Sequence, residues 1–425
     1  MGDGHFEAGW AGGMDRLCCF TTERVKAEGK IFDDGIERGH YRGRVLTVGA
    51  APRVAIVSDP LVQRGGAERV VEAFADTFPQ APIHALLYSP KTGPARLASR
   101  IKASWLNGFP GAAEQHRALL PFYRHAIESV DVSDYDVILS SHHTVAKGVH
   151  TRADQLHISY CHTPMRALWE RPGAELATLT PVLRPPVAAL FSHLRVWDAV
   201  TAAHVHRFVA NSTTTQRRIA TYYRRESEII FPPIDTERFT PGGPQGDYYL
   251  IASRPVPYKR VDLAVAATGR LGRRLKIVGG AHTLKEHPPH VELLGHVSDE
   301  ELRDLMRGAR ALLYPQLEDF GMAPLEMNAC GRPVIAYGAG GALDTVIDGL
   351  TGILAPEQSV ESFVAAIQRF ETCSFSAERL RDHALAFSLD RFKRQISAFV
   401  ANAWEEHASR FAPAKWNVLA SQVAG

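Results

Sequence analysis

The sequence predicts an α/β protein built as two Rossmann-like, doubly wound parallel-sheet domains facing a cleft. Three observations carry that expectation. From Arg53 onward, short β-rich runs alternate with amphipathic or turn-rich intervals, the pattern of parallel strands joined by helical crossovers. The alternation occurs in two series, separated at Phe231-Pro232-Pro233. The chain has 425 residues, enough for two or three domains at about 100–200 residues each.

Taken in order, residues 1–50 stand apart. They hold Gly2, Gly4, Gly9, Gly12, Gly13 and scattered charges without an apolar h-region, so they do not read as a secretory signal. A flexible tail and an over-long translation start are both open for this N-terminal extension. Strands are expected at Val54 to Ser58, Ile83 to Leu87, Val137 to Ser140, Ile158 to Cys161 and Phe208 to Asn211, giving a first domain over 51–230. Pro232 and Pro233 cannot donate to a ladder, and 231–246 is rich in Pro and Gly, which marks a hinge. The second series, over 231–389, places strands at Tyr248 to Ala252, Leu275 to Val278, Val291 to Leu294, Ala311 to Tyr314 and Val334 to Tyr337. Ser298-Asp299-Glu300-Glu301 is a capping box ahead of Leu302, Leu305, Met306 and Ala309 on one helical face. Pro324, followed by Gly331 and Pro333, predicts two helical turns over 324–330. Phe392, Ile396, Phe399, Val400 and Trp404 mark an amphipathic helix in the last segment, 390–425, expected to cross back to the first domain.

Composition excludes several classes of function. Lys plus Arg number 48 against 46 Asp plus Glu, a formal charge of +2, so any nucleic-acid or anionic-membrane surface must be a local patch rather than a property of the whole chain, and no nucleic-acid partner is expected. No run reaches the roughly 18 apolar residues of a membrane span. Five Cys, of which only Cys18 and Cys19 are close together, form neither a disulfide framework nor paired zinc knuckles, which points to a reducing, cytoplasmic compartment.

The chemistry concentrates in four segments. Glu318-Asp319-Phe320-Gly321-Met322-Ala323-Pro324-Leu325-Glu326 puts two carboxylates eight positions apart across a strand-to-helix loop. Glu326 is expected in the first turn, and both acids at the carboxyl-end crevice of the sheet. Free N–H groups of residues 322–325, except Pro324, favour a phosphate there. In Ser253-Arg254-Pro255-Val256-Pro257-Tyr258-Lys259-Arg260, Arg254 and Lys259 suit a diphosphate, one as a fork and the other as a point charge. Gly65 and Gly66 in Arg64-Gly65-Gly66-Ala67-Glu68 permit close backbone approach. His162, in Ser159-Tyr160-Cys161-His162-Thr163-Pro164-Met165-Arg166, sits at a strand end facing the other three if the domains close.

Over about 53–405 these residues resemble the retaining nucleotide-sugar glycosyltransferases of the GT-B class, family 4. The E-x7-E loop, SRPVPYKRVDLAV, GGAERVV, VANS at 209–212 and FPPID at 231–235 occur in that family's order. SYCHTPMRALWE, LRVWDAV and SSHHTVAKGV look most like bacterial mannosyltransferases of surface polysaccharide assembly. The resemblance implies metal-independent transfer of mannose from GDP-mannose to a lipid-linked saccharide, without a cofactor, with peripheral contact at the inner face of the cytoplasmic membrane. It assigns Glu318 to the donor-sugar hydroxyls, Glu326 to the ribose hydroxyls, and Arg254 and Lys259 to the diphosphate. Backbone around Phe320, Gly321 and Met322, continuing through Ala323 and Leu325, supports the donor, Gly65 and Gly66 approach its distal phosphate, and His162 faces the reacting centre. A non-catalytic nucleotide-sugar sensor or partner subunit and a nucleotide-sugar epimerase of the same architecture are the competing readings.

Other segments have plainer readings. Glu318 and Glu326 could serve as a solvated loop acid and a helix-dipole partner, and His162 as a satisfied histidine at a sheet edge. His142-His143 and His204-x-His206 diverge on any helix and lack further ligands for a metal. Asp134-Tyr135-Asp136 is a polar turn before a strand. Gly338-Ala339-Gly340-Gly341 lacks the dinucleotide spacing, which disfavours a nicotinamide enzyme and leaves backbone access for a ligand, with Asp344 one turn on. Lys91, Arg96, Arg100 and Lys102, followed by Trp105, Leu106 and Phe109, read either as a membrane-facing patch or as a solvated face beside core residues.

Overall fold

The computed structural model describes residues 51–253, 257–279 and 287–411. The extension over 1–50, Cys18 and Cys19, and Arg254 lie outside the described residues.

The described residues form two parallel sheets. The first contains β1 (Val54–Ser58), β2 (Ile83–Ala85), β3 (Ile101–Ala103), β4 (Val137–His142), β5 (Leu156–Cys161), β6 (Arg207–Ala210) and β7 (Ser227–Ile229), in the order β3-β2-β1-β4-β5-β6-β7. The second contains β8 (Tyr248–Ala252), β9 (Arg274–Val278), β10 (Val291–Gly295), β11 (Leu312–Tyr314), β12 (Val334–Tyr337) and β13 (Gly352–Ala355), in the order β10-β9-β8-β11-β12-β13. Both orders are doubly wound, and each reverses beside its first strand, which is where this topology opens a crevice. The ten expected strands are present. The three not expected, β3, β7 and β13, each have three or four residues and lie at sheet edges, too short to display a period of two.

Each sheet is covered on both faces, which explains why β4 and β5 are buried along their whole length. One face of the first sheet packs on the helices Gly66–Thr77 and Leu389–Phe411, where Phe74, Tyr160, Phe392, Ile396 and Trp404 share a core. Phe74 stacks on Phe392 at 5.8 Å and meets Tyr160 edge-on at 5.5 Å. The opposite face packs Val57 and Ile138 against Tyr123 of the helix Leu120–Glu128 and against Trp197. In the second sheet, Leu325 and Met327 of the helix Met322–Ala329 share a core with Leu312 and Val334, while Phe363 and Ala264 cover the other face.

Local signals act as the sequence suggests at the helix Asp299–Gly308. Ser298 Oγ accepts from the Glu301 amide at 3.1 Å, and the Glu301 carboxylate accepts from the Ser298 amide at 2.7 Å, closing the capping box. The chain passes between the sheets twice, side by side. The Ile234 amide donates to the Phe387 carbonyl at 2.9 Å, and Arg391 donates to the Phe231 carbonyl at 3.0 Å.

Because Phe392 is fully buried between Phe74 and Tyr160, Phe392→Ala leaves a cavity in the first-sheet core. Its expected cost is about 3–5 kcal/mol, read from urea unfolding. A loss below about 1 kcal/mol would show that this last helix is not part of that core.

Candidate functional site

Four strands deliver the candidate residues. The first sheet reverses between β1 and β4 and the second between β8 and β11, so the loops leaving those strands converge on the crevice. Asp59, directly after β1, is buried and accepts from the amides of His143 (2.6 Å), Thr144 (2.7 Å), Val145 (2.8 Å) and Ala146 (3.0 Å). One carboxylate thereby satisfies four backbone donors and fixes the loop after β4 to the loop after β1.

His162 follows β5. Its amide donates to the His142 carbonyl at 2.8 Å, its carbonyl accepts from Thr215 Oγ1 at 3.0 Å, and Nε2 lies 2.9 Å from Ser141 Oγ. Burial, and then the nearby His143, push the imidazole pKa down to about 3. At neutral pH the ring is uncharged, so each nitrogen keeps a distinct role as donor or acceptor.

Gly65 is the N-cap of the helix Gly66–Thr77. A Cβ on Gly65 would lie 2.9 Å from Glu68 Oε2, and one on Gly66 would lie 3.1 Å from Met322 Sδ. The glycine loop of the first sheet therefore touches the start of the helix that carries Glu326.

That helix, Met322–Ala329, begins two residues earlier than Pro324 suggests. Pro324 is its third residue, where its missing N–H is still one of the unpaired groups. Glu326 consequently opens the second turn rather than lying in the first. It is only 4% exposed and forms an ion pair with Arg69 from the opposite wall. The Glu326 carboxylate holds the Arg69 guanidinium pKa further above its usual value, against the opposing effect of burial. Gly321, just before the helix, has φ +90°, and a Cβ there would lie 2.4 Å from Tyr314 Oη, so both conformation and space call for glycine. Glu318 pairs with Lys259. Its carbonyl accepts from the Gly341 amide at 2.9 Å.

The segment 338–341 has a structural use that its spacing did not disclose. A Cβ on Gly340 would meet the Glu318 carbonyl oxygen at 2.5 Å, and one on Gly341 would meet Phe320 backbone at 2.2 Å. The close backbone approach is therefore to the loop bearing Glu318. Asp344 accepts from the Thr213 amide at 3.0 Å and from Thr213 Oγ1 at 2.8 Å across the crevice. Arg218 pairs with both Asp319 and Glu170. Burial lowers the Arg218 pKa, but Asp319 and then Glu170 raise it by more.

Thus Gly65, Gly66, Lys259, Glu318, Phe320, Gly321, Met322, Ala323 and Leu325 lie on the loops and first turns around this crevice, with Glu326 at the start of the second turn and His162 just after β5. Arg69, Asp59, Arg218 and Thr213 join the walls without having stood out in the sequence. Asp59 directly follows the first strand and Arg69 directly follows GGAE, which are the signals available for those two. Elsewhere, Arg96 pairs with Glu72 and Asp76, Arg100 donates to the carbonyls of Ala75, Phe78 and Ala81, and Leu106 is buried. Two of the four cations of the basic segment are thus engaged within the first domain, while Trp105 and Phe109 stay half exposed. Asp136 pairs with Arg53 at 3.2 Å, His142 Nε2 lies 3.2 Å from Tyr223 Oη, and His206 Nδ1 accepts from the His157 amide at 3.1 Å. Among the described residues no group of three His, Cys, Asp or Glu could hold a metal ion, and no helix is long and apolar enough to cross a membrane.

A folded-state pKa near 3 for His162 means that the unfolded chain binds this proton first on acidification. The ring's effect on stability is therefore constant above about pH 6.5 and becomes destabilising as pH falls from 6.5 towards 3. The His162 ring nitrogens should keep neutral-form 15N shifts from pH 8 to 5. A titration midpoint near 6.5 would contradict the buried, neutral assignment.

Comparison with known proteins bears on the same region. Residues 64–238 match the model of Glycosyltransferase Family 4, and residues 234–386 match that of Glycosyl transferases group 1; the two meet where the chain first passes between the sheets. A D-inositol 3-phosphate glycosyltransferase of Kribbella flavida is 30% identical over 277 residues, covering 56% of this chain and 63% of that protein. A GDP-mannose-dependent alpha-(1-6)-phosphatidylinositol monomannoside mannosyltransferase of Mycolicibacterium smegmatis is 27% identical over 48% of this chain and 66% of its own length. The structure of Anabaena HepE in complex with UDP-glucose superposes with a TM-score of 0.59 at 17% identity, over 83% of this chain and all of that one. Sequence and architecture agree on a fold of GT-B type, two Rossmann-like doubly wound domains, across residues 64–386.

Proposed function

We propose that this chain is a retaining glycosyltransferase that moves mannose from GDP-mannose to a lipid-linked saccharide at a membrane surface. The observation that carries the transferase reading is the convergence of Glu318, Lys259 and Glu326 with the start of the helix Met322–Ala329 on one crevice wall, facing Gly65, Gly66 and Arg69. Mannose and the guanine base are supported by the similarity to the mycobacterial mannosyltransferase. In this reading residues 51–230 receive the acceptor, 231–389 hold the nucleotide sugar, and 390–425 return to the first domain.

The family resemblance supplies the roles, and the charges agree with them. Glu318 accepts from the donor-sugar hydroxyls and Glu326 from the ribose hydroxyls, while Lys259, with Arg254, meets the diphosphate. Amides at Phe320, Gly321, Met322 and Ala323 face the phosphates and sugar, while the Leu325 amide, further along the helix, is taken up by the helix itself. Gly65 and Gly66 allow the opposite wall to approach the distal phosphate, and neutral His162 contacts the transferred sugar. During transfer the bond from the anomeric carbon to the phosphate oxygen breaks as the bond to the acceptor oxygen forms on the same face. The departing phosphate oxygen takes the acceptor hydroxyl's proton, so no protein base or metal is needed. Negative charge grows on that phosphate, so donors already aimed at it stabilise the transition state more than the ground state.

Glu326→Gln should weaken GDP-mannose binding by about 10–100-fold, the loss of one or two charge-assisted hydrogen bonds. Lys259→Ala should lower kcat/KM by about 100-fold or more, with kcat falling as well. Unchanged donor dissociation constants and turnover in both variants would overturn the site. With an α-linked donor, the product's anomeric NMR signals should be α, and a β product would refute front-face transfer.

A further inference from the structure

A cavity of about 440 Å³ opens at the edge of the first sheet, lined by His84, Lys102, Trp105, Asp131, Asp134 and Tyr135, among others. None of these residues belongs to the crevice described above. Its floor comes from strand register. His84 of β2 lies opposite Lys102 of β3, so both side chains leave the same sheet face, while Ile83 and Ala85 point into the core on the other. Its walls are Trp105, just beyond β3, and the Asp131–Tyr135 turn that precedes β4.

The lining selects the chemistry of an occupant. His84 is 8% exposed, and its Nε2 has no hydrogen-bond partner, so a polar atom is left unmatched at the floor of the cavity. Burial, and then the charge of Lys102, lower its pKa, with Asp131 opposing. The ring is neutral and offers both a donor and an acceptor. Tyr135 holds it edge-on at 6.1 Å. Trp105 is 47% exposed and braced edge-on by Phe109 at 5.9 Å, which presents a rigid apolar plate. Two carboxylates beside that plate oppose a phosphate, Lys102 opposes a cation, and the charges oppose a purely apolar ligand. A pyranose ring satisfies all of them. Its C–H face stacks on the indole, and its hydroxyls both donate to Asp131 and Asp134 and accept from Lys102.

We propose that this cavity is a second saccharide-binding site, separate from the donor crevice. Its use in anchoring a saccharide acceptor during transfer rests on the proposed function; its capacity to bind sugar does not. The test uses mannotriose, maltotriose and chitotriose as probes, with binding read by saturation-transfer NMR and calorimetry on the full chain. Trp105, Asp131 and Asp134 are exposed, so substitutions there leave the core intact. At least one trisaccharide should bind saturably, Trp105→Ala and Asp134→Asn should each weaken it tenfold or more, and Glu326→Gln should leave it unchanged. Absence of binding by all three, or affinity undiminished in Trp105→Ala, would overturn the proposal. Loss of binding in Glu326→Gln would assign the sugar to the crevice instead, and would equally overturn it.

Discussion

The crevice depends on one close contact between two backbones. The Glu318 carbonyl and Phe320 lie directly on Gly340 and Gly341, where no Cβ fits, and the Gly341 amide donates to Glu318. Because of that seat, Gly321 takes up its left-handed conformation below Tyr314 and the helix Met322–Ala329 starts where its free amides face the opposite wall. Substituting alanine for either glycine would displace a whole segment of chain, whereas Glu318 itself could change identity without moving the loop. Position precedes chemistry at this site, as it must when precisely aimed donors are to act on a charge that exists only in the transition state.

Charge is then distributed so that three carboxylates of the crevice each face a cation. Glu318 is matched by Lys259, Glu326 by Arg69, and Asp319 by Arg218. Two of these pairs bridge the walls, and Thr213 with Asp344 adds a third link. Partly buried pairs of this kind contribute little net stability because desolvation offsets attraction. They do make both walls responsive to the same ligand: a diphosphate competes for the cations while sugar hydroxyls compete for the acids. The neutral His162, pinned by Ser141, His142 and Thr215, contributes hydrogen bonding without adding a charge to that balance.

Much of this was legible in the chain. Periodicity and the Pro232-Pro233 break disclosed two sheets, and the capping box at Ser298 forms as its spacing implies. The E-x7-E loop and Lys259 meet because both follow strands at a switch point, which topology alone dictates. What escaped has physical reasons. Strands β3, β7 and β13 are too short to carry a pattern. Pro324 reads as a first helical residue, although the third position also has no intrahelical N–H bond to lose. Arg69, Asp59 and Arg218 act through partners distant in sequence, Arg69 being 257 residues from Glu326, so no local spacing could announce them. The glycines at 340–341 read as ligand access because close approach by a ligand and close approach by the chain ask the same thing of a residue.

The central claim is that one ligand engages both crevice walls at once. Hydrogen–deuterium exchange with and without GDP-mannose tests it most directly. The account predicts that donor protects amides at 65–70 and 319–326 together. Protection confined to one wall, or appearing at neither, would contradict it.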